Sequence, residues 1–473
     1  MLVLAIEAST SSAKALLYDP EKGVVDSAQE TYGPDLGVPG KTDTEGVYQL
    51  SMRVARKVAE GKDIEAIALC CTWHSLTIMD KGMNPLIPTH LWNCTDTAYI
   101  TDEIRKDEEL TNRFYQNTGC MPHNTFPRHI ITMFRERGMD MKDKLFATQG
   151  GYNFYRMTGE FMETQNVQAG TGVINTWQKF YDAWVMDYLG VRKSQFGELC
   201  TYKDVRSLNE EAAALLGIKA GIPVVPAHSD GALNQVGNFA SREGIMTMSM
   251  GTSGAIRLRT KKPVLPTGHE LWCYVGVHDY LTGAAIAGAC NCVDWFMKVM
   301  LGGKMSFEEL EAVEDEEKDT PVFLPFNFAE RCPGWIGERR GGFAMLEGNT
   351  TLPEMYKAIQ MATLFNLYQC YEVLIKEVEE PKEIIVSGGI VNSGKWLQMA
   401  ADIFQKNLKV ADFPNASCMG AIALALHAAG ALDNIDDFRA DYDSAIPLDY
   451  NADRKEYYDR QYRRYLEAYE KTK

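Results

Sequence analysis

The sequence predicts an α/β protein built as two comparable domains that close on a central ligand cleft. Three observations carry that expectation. The chain has 473 residues, more than one hydrophobic core organises, and suits two domains of about 200 residues or more each. A strand, a short hydroxyl-rich turn and a second strand occur twice. Thr10-Ser11-Ser12-Ala13 returns as Thr252-Ser253-Gly254-Ala255 about half the chain later, which suggests a duplicated domain. Finally, the apolar run Ile222 to Val225 gives way to polar residues, a glycine and helical spacing. Asp230 therefore falls at a strand-to-helix junction, the edge of an open α/β sheet where ligands bind. The expected domains are residues 1–243 and 244–473.

Composition narrows the function. A hydrophobic content of 45% and a charged content of 24% are those of an ordinary globular enzyme. A formal charge of −16 argues against nucleic acid or an anionic membrane as partner, since both call for a basic surface. The eleven cysteines contain no C-x-x-C pair, which reads as reduced thiols in a cytoplasmic protein. Cys290-Asn291-Cys292 has no second cluster to complete a metal site. Met1 to Glu7 lacks a basic segment and meets an acid at once, unlike a signal peptide. No apolar run reaches the roughly 18 residues of a membrane span.

Along the chain, strands are expected at Leu2 to Ile6, Ala13 to Tyr18 and Val24 to Glu30, joined by Glu7-Ala8-Ser9-Thr10-Ser11-Ser12 and by Asp19 to Gly23. The first turn suits a phosphate cradle, because exposed N–H groups and hydroxyls bond phosphate oxygens; ordinary hairpins use the same residues. Gly37 to Thr42 imitates the end of a P-loop, but Asp35 stands where the first glycine is needed and no strand precedes it. It reads as a turn. Ile64 to Cys71 and Leu76 to Met79 read as strands, and Asp96 to Gln116 and Phe126 to Arg137 as helices. Trp73, His74 and Trp92 cluster in this part. Flat aromatic faces suit the C–H surfaces of a polyol, although a lone histidine also serves as a core residue.

The second half repeats the theme. Met246 to Leu258 reads as a hairpin, Tyr280 to Ala287 as a strand and Cys292 to Leu301 as a helix. The acidic run Ser306 to Lys318 reads as a solvated helix face, and Leu352 to Glu379 as a long amphipathic helix. The strand Glu383 to Val386, a turn through Gly388, Gly389 and Asn392, and the helix Lys395 to Gln405 suit a nucleotide, whose close approach favours residues without a Cβ. A generic βα turn has the same pattern. Gly420 to Leu432 reads as a packed helix, and Asn451 to Lys473, with Tyr457, Tyr458, Tyr462, Tyr465 and Tyr469, as a terminal helix docked on the second domain. Asp230 itself admits two readings: a helix N-cap, or a base that takes a proton from an alcohol.

Taken in order, these segments resemble the FGGY family of carbohydrate kinases. Glu7-Ala8-Ser9-Thr10 stands where the family has Asp-x-Gly-Thr. Asp230 through Gly237 is similar to its D-x6-G segment, and Gly251-Thr252-Ser253 to its second phosphate motif. Phe323-Leu324-Pro325, Glu330-Arg331-Cys332-Pro333 and Arg340-Gly341 follow its F-L-P…G-E-R-x-P…R-G stretch, and Ser387-Gly388-Gly389 with Gly420-Ala421 follows its adenosine motif. The resemblance implies two RNase H-like, actin-like ATPase domains. It implies ATP-dependent phosphorylation of a hydroxyl on a small sugar, sugar acid or polyol, with a gluconate- or xylulose-like acceptor. Asp230 becomes the catalytic base. Ser9, Thr10, Ser11, Ser12, Gly251 and Thr252 face the ATP phosphates, and Gly388, Gly389 and Asn392 the adenosine. Trp73, His74, Trp92, Asp230 and Gly231 form the acceptor side, while Glu7 and Asp230 lie near Mg²⁺. A homodimer is a family-level expectation, and a hinge is expected near Ala240 to Gly244.

Departures concentrate on the acceptor side. Thr72-Trp73-His74-Ser75-Leu76 resembles the gluconate and xylulose kinase branch, but the family's W-x-D-T-R reads Trp92-Asn93-Cys94-Thr95-Asp96, without its Asp or Arg. The later sugar-side motif stands as Thr164-Gln165-Asn166. Glu7 is one methylene longer than Asp, and Ser9 replaces a glycine. These departures leave a rival reading open, a diverged non-phosphorylating binder of ATP or sugar that acts as a regulator. Retention of Asp230 argues against it.

Overall fold

The computed structural model describes residues 1–312, 317–411, 415–439 and 444–472. The first sheet is built from β1 (Leu2–Ala8), β2 (Ser12–Asp19), β3 (Gly23–Thr31), β4 (Ile64–Cys71), β5 (Arg206–Ser207) and β6 (Pro223–Ser229), in the order β5-β6-β4-β1-β2-β3. The second contains β7 (Ile245–Met250), β8 (Gly254–Thr260), β9 (Trp272–Val275), β10 (Tyr280–Ile286), β11 (Glu383–Ser387), β12 (Leu408–Val410) and β13 (Ile446–Leu448), in the order β9-β10-β8-β7-β11-β12-β13. Within them β3-β2-β1-β4-β6 and β10-β8-β7-β11-β12 are the same arrangement. Two antiparallel pairings lead to a central strand, and two successive parallel pairings continue the sheet beyond it. The repeat read in the sequence is thus a repeat of topology. Its two hairpins differ by one residue. Ala8 faces Ala13 across the first turn and Met250 faces Gly254 across the second.

Strand β1 is apolar from Leu2 to Ile6 because both faces are covered there. Leu4 and Ile6 pack with Tyr48 and Val54 of α1 (Thr44–Ala59). Val3 and Ala5 pack with Leu233 of α2 (Asp230–Gly237) and Ile422 of a helix from the far end of the chain. That helix lies on the first sheet, although its sequence follows the second. It is preceded by α3 (Leu352–Glu377) and α4 (Gly394–Phe404), and we number it α5 (Ala416–Ala428). It crosses α2 at two glycines: a Cβ on Gly237 would overlap the Ala416 carbonyl, and one on Gly420 would overlap the Leu233 carbonyl. Only glycine lets the two backbones touch.

The terminal helix α6 (Lys455–Glu470) buries all five of its expected tyrosines in the core that includes Phe365 and Tyr371 of α3. Lys473, at the end of the expected segment, lies outside the described residues, as do residues 313–316 of the acidic run, of which Phe307–Glu311 is helical. Two expectations need correction. Asp96 to Gln116 is two helices, Ala98–Arg105 and Glu108–Thr118. The break comes because the Asp107 side chain accepts the Leu110 N–H and starts a new helix. The helix expected from Cys292 begins at Cys290 and turns into a wider π-turn over Phe296–Met300. All eleven cysteines are free, and among the described residues no helix is long and apolar enough to cross a membrane.

Candidate active site

Between the two sheets lies a cavity of about 420 Å³. From the first half of the chain it is lined by Glu7, Ser9, Thr10, Ser11, Trp73, His74, Trp92, Asp230 and Gly231, all expected at the site from the sequence, and by Lys14, Thr72 and Asn234, which were not. Arg257 and Arg331, also not expected there, join them from the second half.

Asp230 is the first residue of α2, at the end of β6 where the sequence placed it. The cap, however, is Ser229, whose hydroxyl accepts the Ala232 N–H at 3.3 Å. Asn166 holds that serine, its side-chain oxygen accepting both the Ser229 N–H and hydroxyl at 2.9 and 2.8 Å. The capping role read for Asp230 is thereby taken, and its carboxylate is left to face the cavity. Oδ1 accepts the Gly231 N–H at 2.8 Å and the Trp73 N–H at 3.2 Å. Burial raises its pKa to about 6, Glu7 adding to the rise, while the two N–H groups and Arg257 oppose it. A carboxylate poised near neutrality suits a general base.

Trp73 is an anchor rather than an open platform. The residue is 5% exposed, its ring stacked on His74 at 5.6 Å and meeting Tyr274 edge-on at 4.8 Å. Its Nε1–H donates to the Asn166 carbonyl at 3.0 Å. Gly231 sits beneath it, where a Cβ would press on the indole. His74 adopts a left-handed backbone, φ 57°, and its Nδ1 bonds the Gly170 carbonyl at 2.5 Å. Burial pushes the imidazole down to about 3, with Arg331 and Arg257 contributing. The ring is neutral at physiological pH, and with Nδ1–H donating, Nε2 is the acceptor. Trp92 donates Nε1–H to the Thr10 hydroxyl at 3.1 Å, which bonds the Thr72 hydroxyl at 2.9 Å.

Glu7 is buried. Its Oε2 accepts from the Ser417 hydroxyl at 2.9 Å and the Cys418 thiol at 3.0 Å, and lies 3.5 Å from the Lys14 ammonium. The first residues of α5 are thus tied to the end of β1. In the adjacent turn the Ser9 N–H and hydroxyl both donate to the Ser12 carbonyl, at 2.9 and 2.7 Å. Tyr32 braces the turn through the Ser9 carbonyl at 2.9 Å.

Of the residues expected around the nucleotide, Gly251, Thr252, Gly388, Gly389 and Asn392 form an open surface near the tips of β7 and β11 and do not line the cavity. Gly388 has φ 93° and passes so close to the Met250 carbonyl that a Cβ would overlap it. Ser12 lies just inside the first turn, buried.

Arg257 leaves β8 beside Asp230 and donates to the Ser249 hydroxyl at 2.9 Å. Burial lowers its pKa, and the charge of Asp230 works against that fall. Arg331 spreads over the Trp92 ring at 5.8 Å, its Nε buried without a partner. Its neighbour Glu330 is fixed by Arg339 at 3.0 Å and by the Tyr469 hydroxyl of α6 at 2.6 Å. Each arginine lies more than twenty residues from Asp230 in sequence, and only the meeting of the two halves brings them together.

Residues 2–237 match the N-terminal domain of the FGGY family of carbohydrate kinases and residues 246–429 its C-terminal domain. The gluconokinase of Bacillus subtilis is 24% identical across 92% of this chain and 89% of that one. A xylulose kinase of Staphylococcus xylosus is 23% identical across 89% and 90%. Among solved structures, a ligand-bound xylulose kinase and a gluconate kinase of Lactobacillus acidophilus superpose with TM-scores of 0.92 and 0.91. Each is 22% identical, and they cover 99% of this chain and 97% and 98% of theirs. At that identity the superpositions speak for the fold.

Proposed function

The chain belongs to the FGGY family of carbohydrate kinases, and from that premise we propose that it transfers the γ-phosphoryl group of ATP to a hydroxyl of a sugar acid. It is a phosphotransferase of the carbohydrate kinase family, and the rival reading as a non-phosphorylating regulator falls away. The choice of acceptor rests on one observation. The cations Arg257 and Arg331 face the cavity beside Asp230, where a neutral polyol offers hydroxyl acceptors but no opposite charge. The carboxylate of an aldonic acid supplies that charge, and guanidinium groups pair well with carboxylates. The kinship with gluconokinases supports the same reading.

In the mechanism, Asp230 accepts the proton of the attacking hydroxyl while its N–H partners, Trp73 and Gly231, hold it in line. His74, neutral, offers Nε2 to a second acceptor hydroxyl. The first turn binds the phosphates through the Thr10 and Ser11 N–H groups and the Ser11 hydroxyl, with Ser9 and Ser12 holding its shape. Gly251-Thr252 binds them from the other side, and Gly388, Gly389 and Asn392 leave room for the adenosine. Glu7 and Asp230 are two carboxylates on one cavity wall, and their mutual repulsion raises the pKa of Asp230. Their oxygens are the donor type a divalent cation takes, and Mg²⁺ bound with ATP would neutralise phosphate charge there together with Lys14, which lies 3.5 Å from Glu7. The two domains, residues 1–243 and 244–473, close about the link at Ala240 to Gly244 with α5 staying on the first sheet, excluding water from the transfer.

ADP release measured over gluconate, other aldonic acids, xylulose, ribulose and glycerol tests the proposal. We expect turnover above the ATP-only background with an aldonic acid. Arg257→Gln should raise KM for that acceptor about tenfold or more while leaving KM for ATP nearly unchanged. Turnover with a neutral ketose alone would reject the sugar-acid reading and leave the kinase standing.

A further inference from the structure

Next to the acceptor wall, but outside the cavity, three metal-ligating side chains converge. A ring nitrogen of His90, Sγ of Cys94 and a carboxylate oxygen of Asp96 all lie within 4.8 Å of one another. Cys94 and Asp96 stand at the two positions where the Trp92 segment departs from the family pattern. Ligands of a tetrahedral Zn²⁺ lie about 3.3–3.8 Å apart, given bonds of about 2.0–2.3 Å, so closure asks for shifts of about an ångström.

Independent features prepare the group for an ion. The Nδ1–H of His90 donates to the Pro88 carbonyl at 2.9 Å, which leaves Nε2 with its lone pair free. A backbone carbonyl on the far nitrogen is the usual second partner of a metal-binding histidine. The backbone is fixed around the cluster. His90 pairs with Lys41 in a short sheet and with Leu76 across a bridge. The Cys94 N–H donates to the Leu91 carbonyl, and the Asn124 side chain donates to the Cys94 carbonyl at 3.0 Å. His90 and Cys94 form a buried wall, while one third of the Asp96 side chain is exposed and offers an entrance.

Two cations oppose binding. Lys41 Nζ lies 2.6 Å from Asp96 Oδ2, and the charges of Lys41 and Arg137 reach both His90 and Asp96. The Lys41 pair is partly exposed and correspondingly weak, and the carboxylate has a second oxygen. We propose that His90, Cys94 and Asp96 form a site for a Zn²⁺-class cation, with three protein ligands and an open fourth position. Binding releases the Cys94 proton to solvent as the thiolate forms, with imidazole neutral and carboxylate ionised. Trp92 lies between two of the ligands in the chain and touches Thr10 of the phosphate turn. An ion there braces the loop behind the acceptor wall.

Co²⁺, a spectroscopic stand-in for Zn²⁺, tests the site on the full chain kept reduced with a phosphine. One equivalent should bring a thiolate-to-cobalt charge-transfer band and the visible bands of tetrahedral cobalt, both erased by Zn²⁺. Cys94→Ser should lose the charge-transfer band. His90→Gln and Asp96→Asn should each weaken binding at least about tenfold, the loss that even a second partner produces. Lys41→Gln should tighten it up to about fivefold by removing the competitor for Asp96. Thermal melts of each variant establish that it is folded. Absence of the charge-transfer band in the wild-type protein overturns the proposal. So does a band that persists in folded Cys94→Ser, which would put the ion on other thiols. Neither result touches the kinase reading, which is measured by ADP release.

Discussion

The backbone N–H of Trp73 donates to Oδ1 of Asp230 at 3.2 Å. The loop after β4, which carries His74, is thereby tied to the group that opens α2, so His74 and the Asp230 carboxylate are held as one piece. With Ser229 as cap and Asn166 behind it, the helix draws on the Asp230 carboxylate for the Gly231 N–H, which an asparagine oxygen accepts as well.

Asp230→Asn therefore separates chemistry from structure. Loss of a general base should lower kcat by roughly 10²–10⁴-fold. Burial raises the folded-state pKa of Asp230 from 3.8 to about 6, so folding favours the protonated form. That contribution is fully present below the unfolded pKa and is lost as pH rises through about 6. At neutral pH the ionised group costs on the order of 3 kcal/mol. The variant should melt higher than wild type at pH 8 and match it near pH 4. A melting point that falls at pH 8, or turnover above about a tenth of wild type, would place the base elsewhere.

The same shift sets the pH profile. A general base at Asp230 works as a carboxylate, so on the proposed mechanism kcat/KM should fall with unit slope as pH drops below about 6. Glu7→Gln removes the second contributor to the rise, and the acid limb should move to lower pH while staying above the ordinary carboxylate range, because burial remains. The same variant should need more Mg²⁺ for half-maximal rate. An unmoved limb and an unaltered Mg²⁺ requirement would remove Glu7 from the site.

Gly237→Ala addresses the helix crossing. The added methyl meets the Ala416 carbonyl, backbone that cannot swing aside. We expect a loss of about 1–3 kcal/mol, in the range of overpacking, visible as a lower melting temperature. Gly221→Ala is not an equivalent control, since its φ of 82° strains any side chain. Gly394→Ala, open at the start of α4, should change stability little. Equal melting points for the two variants would mean that α2 and α5 tolerate separation.

Gly231→Ala probes the Trp73 contact. Its methyl would press the indole whose main chain holds Asp230. Acceptor KM and kcat should both worsen, while ATP binding, read by equilibrium titration, stays within about twofold, because the phosphate turns lie apart from this contact. A variant with wild-type kinetics would show that the contact does not position the base.

Much of this protein is determined by short stretches of its own sequence. The hairpins around Ser9 to Ser12 and Gly251-Thr252 are local objects, set by alternation and turn residues a few positions apart. The strand-to-helix junction at Asp230 is as local, which is why the sequence placed that residue at the end of the strand and the start of the helix. The continuous apolar run of β1 announces burial on both faces, without naming what covers them. What the sequence left open depends on distant segments meeting. That Ser229, and not Asp230, caps α2 rests on Asn166; that α5 lies on the first sheet rests on the Gly237–Gly420 approach. Arg257 and Arg331 are ordinary surface-type residues until the two sheets face each other. His90, Cys94 and Asp96 span only seven residues, yet their spacing matches no local motif. The fold of the Trp92 loop and the Lys41 strand beside it brings them together. Periodicity records which face of an element is buried, because that depends on neighbours along the chain. Contacts between elements arise from packing, and no single stretch carries them.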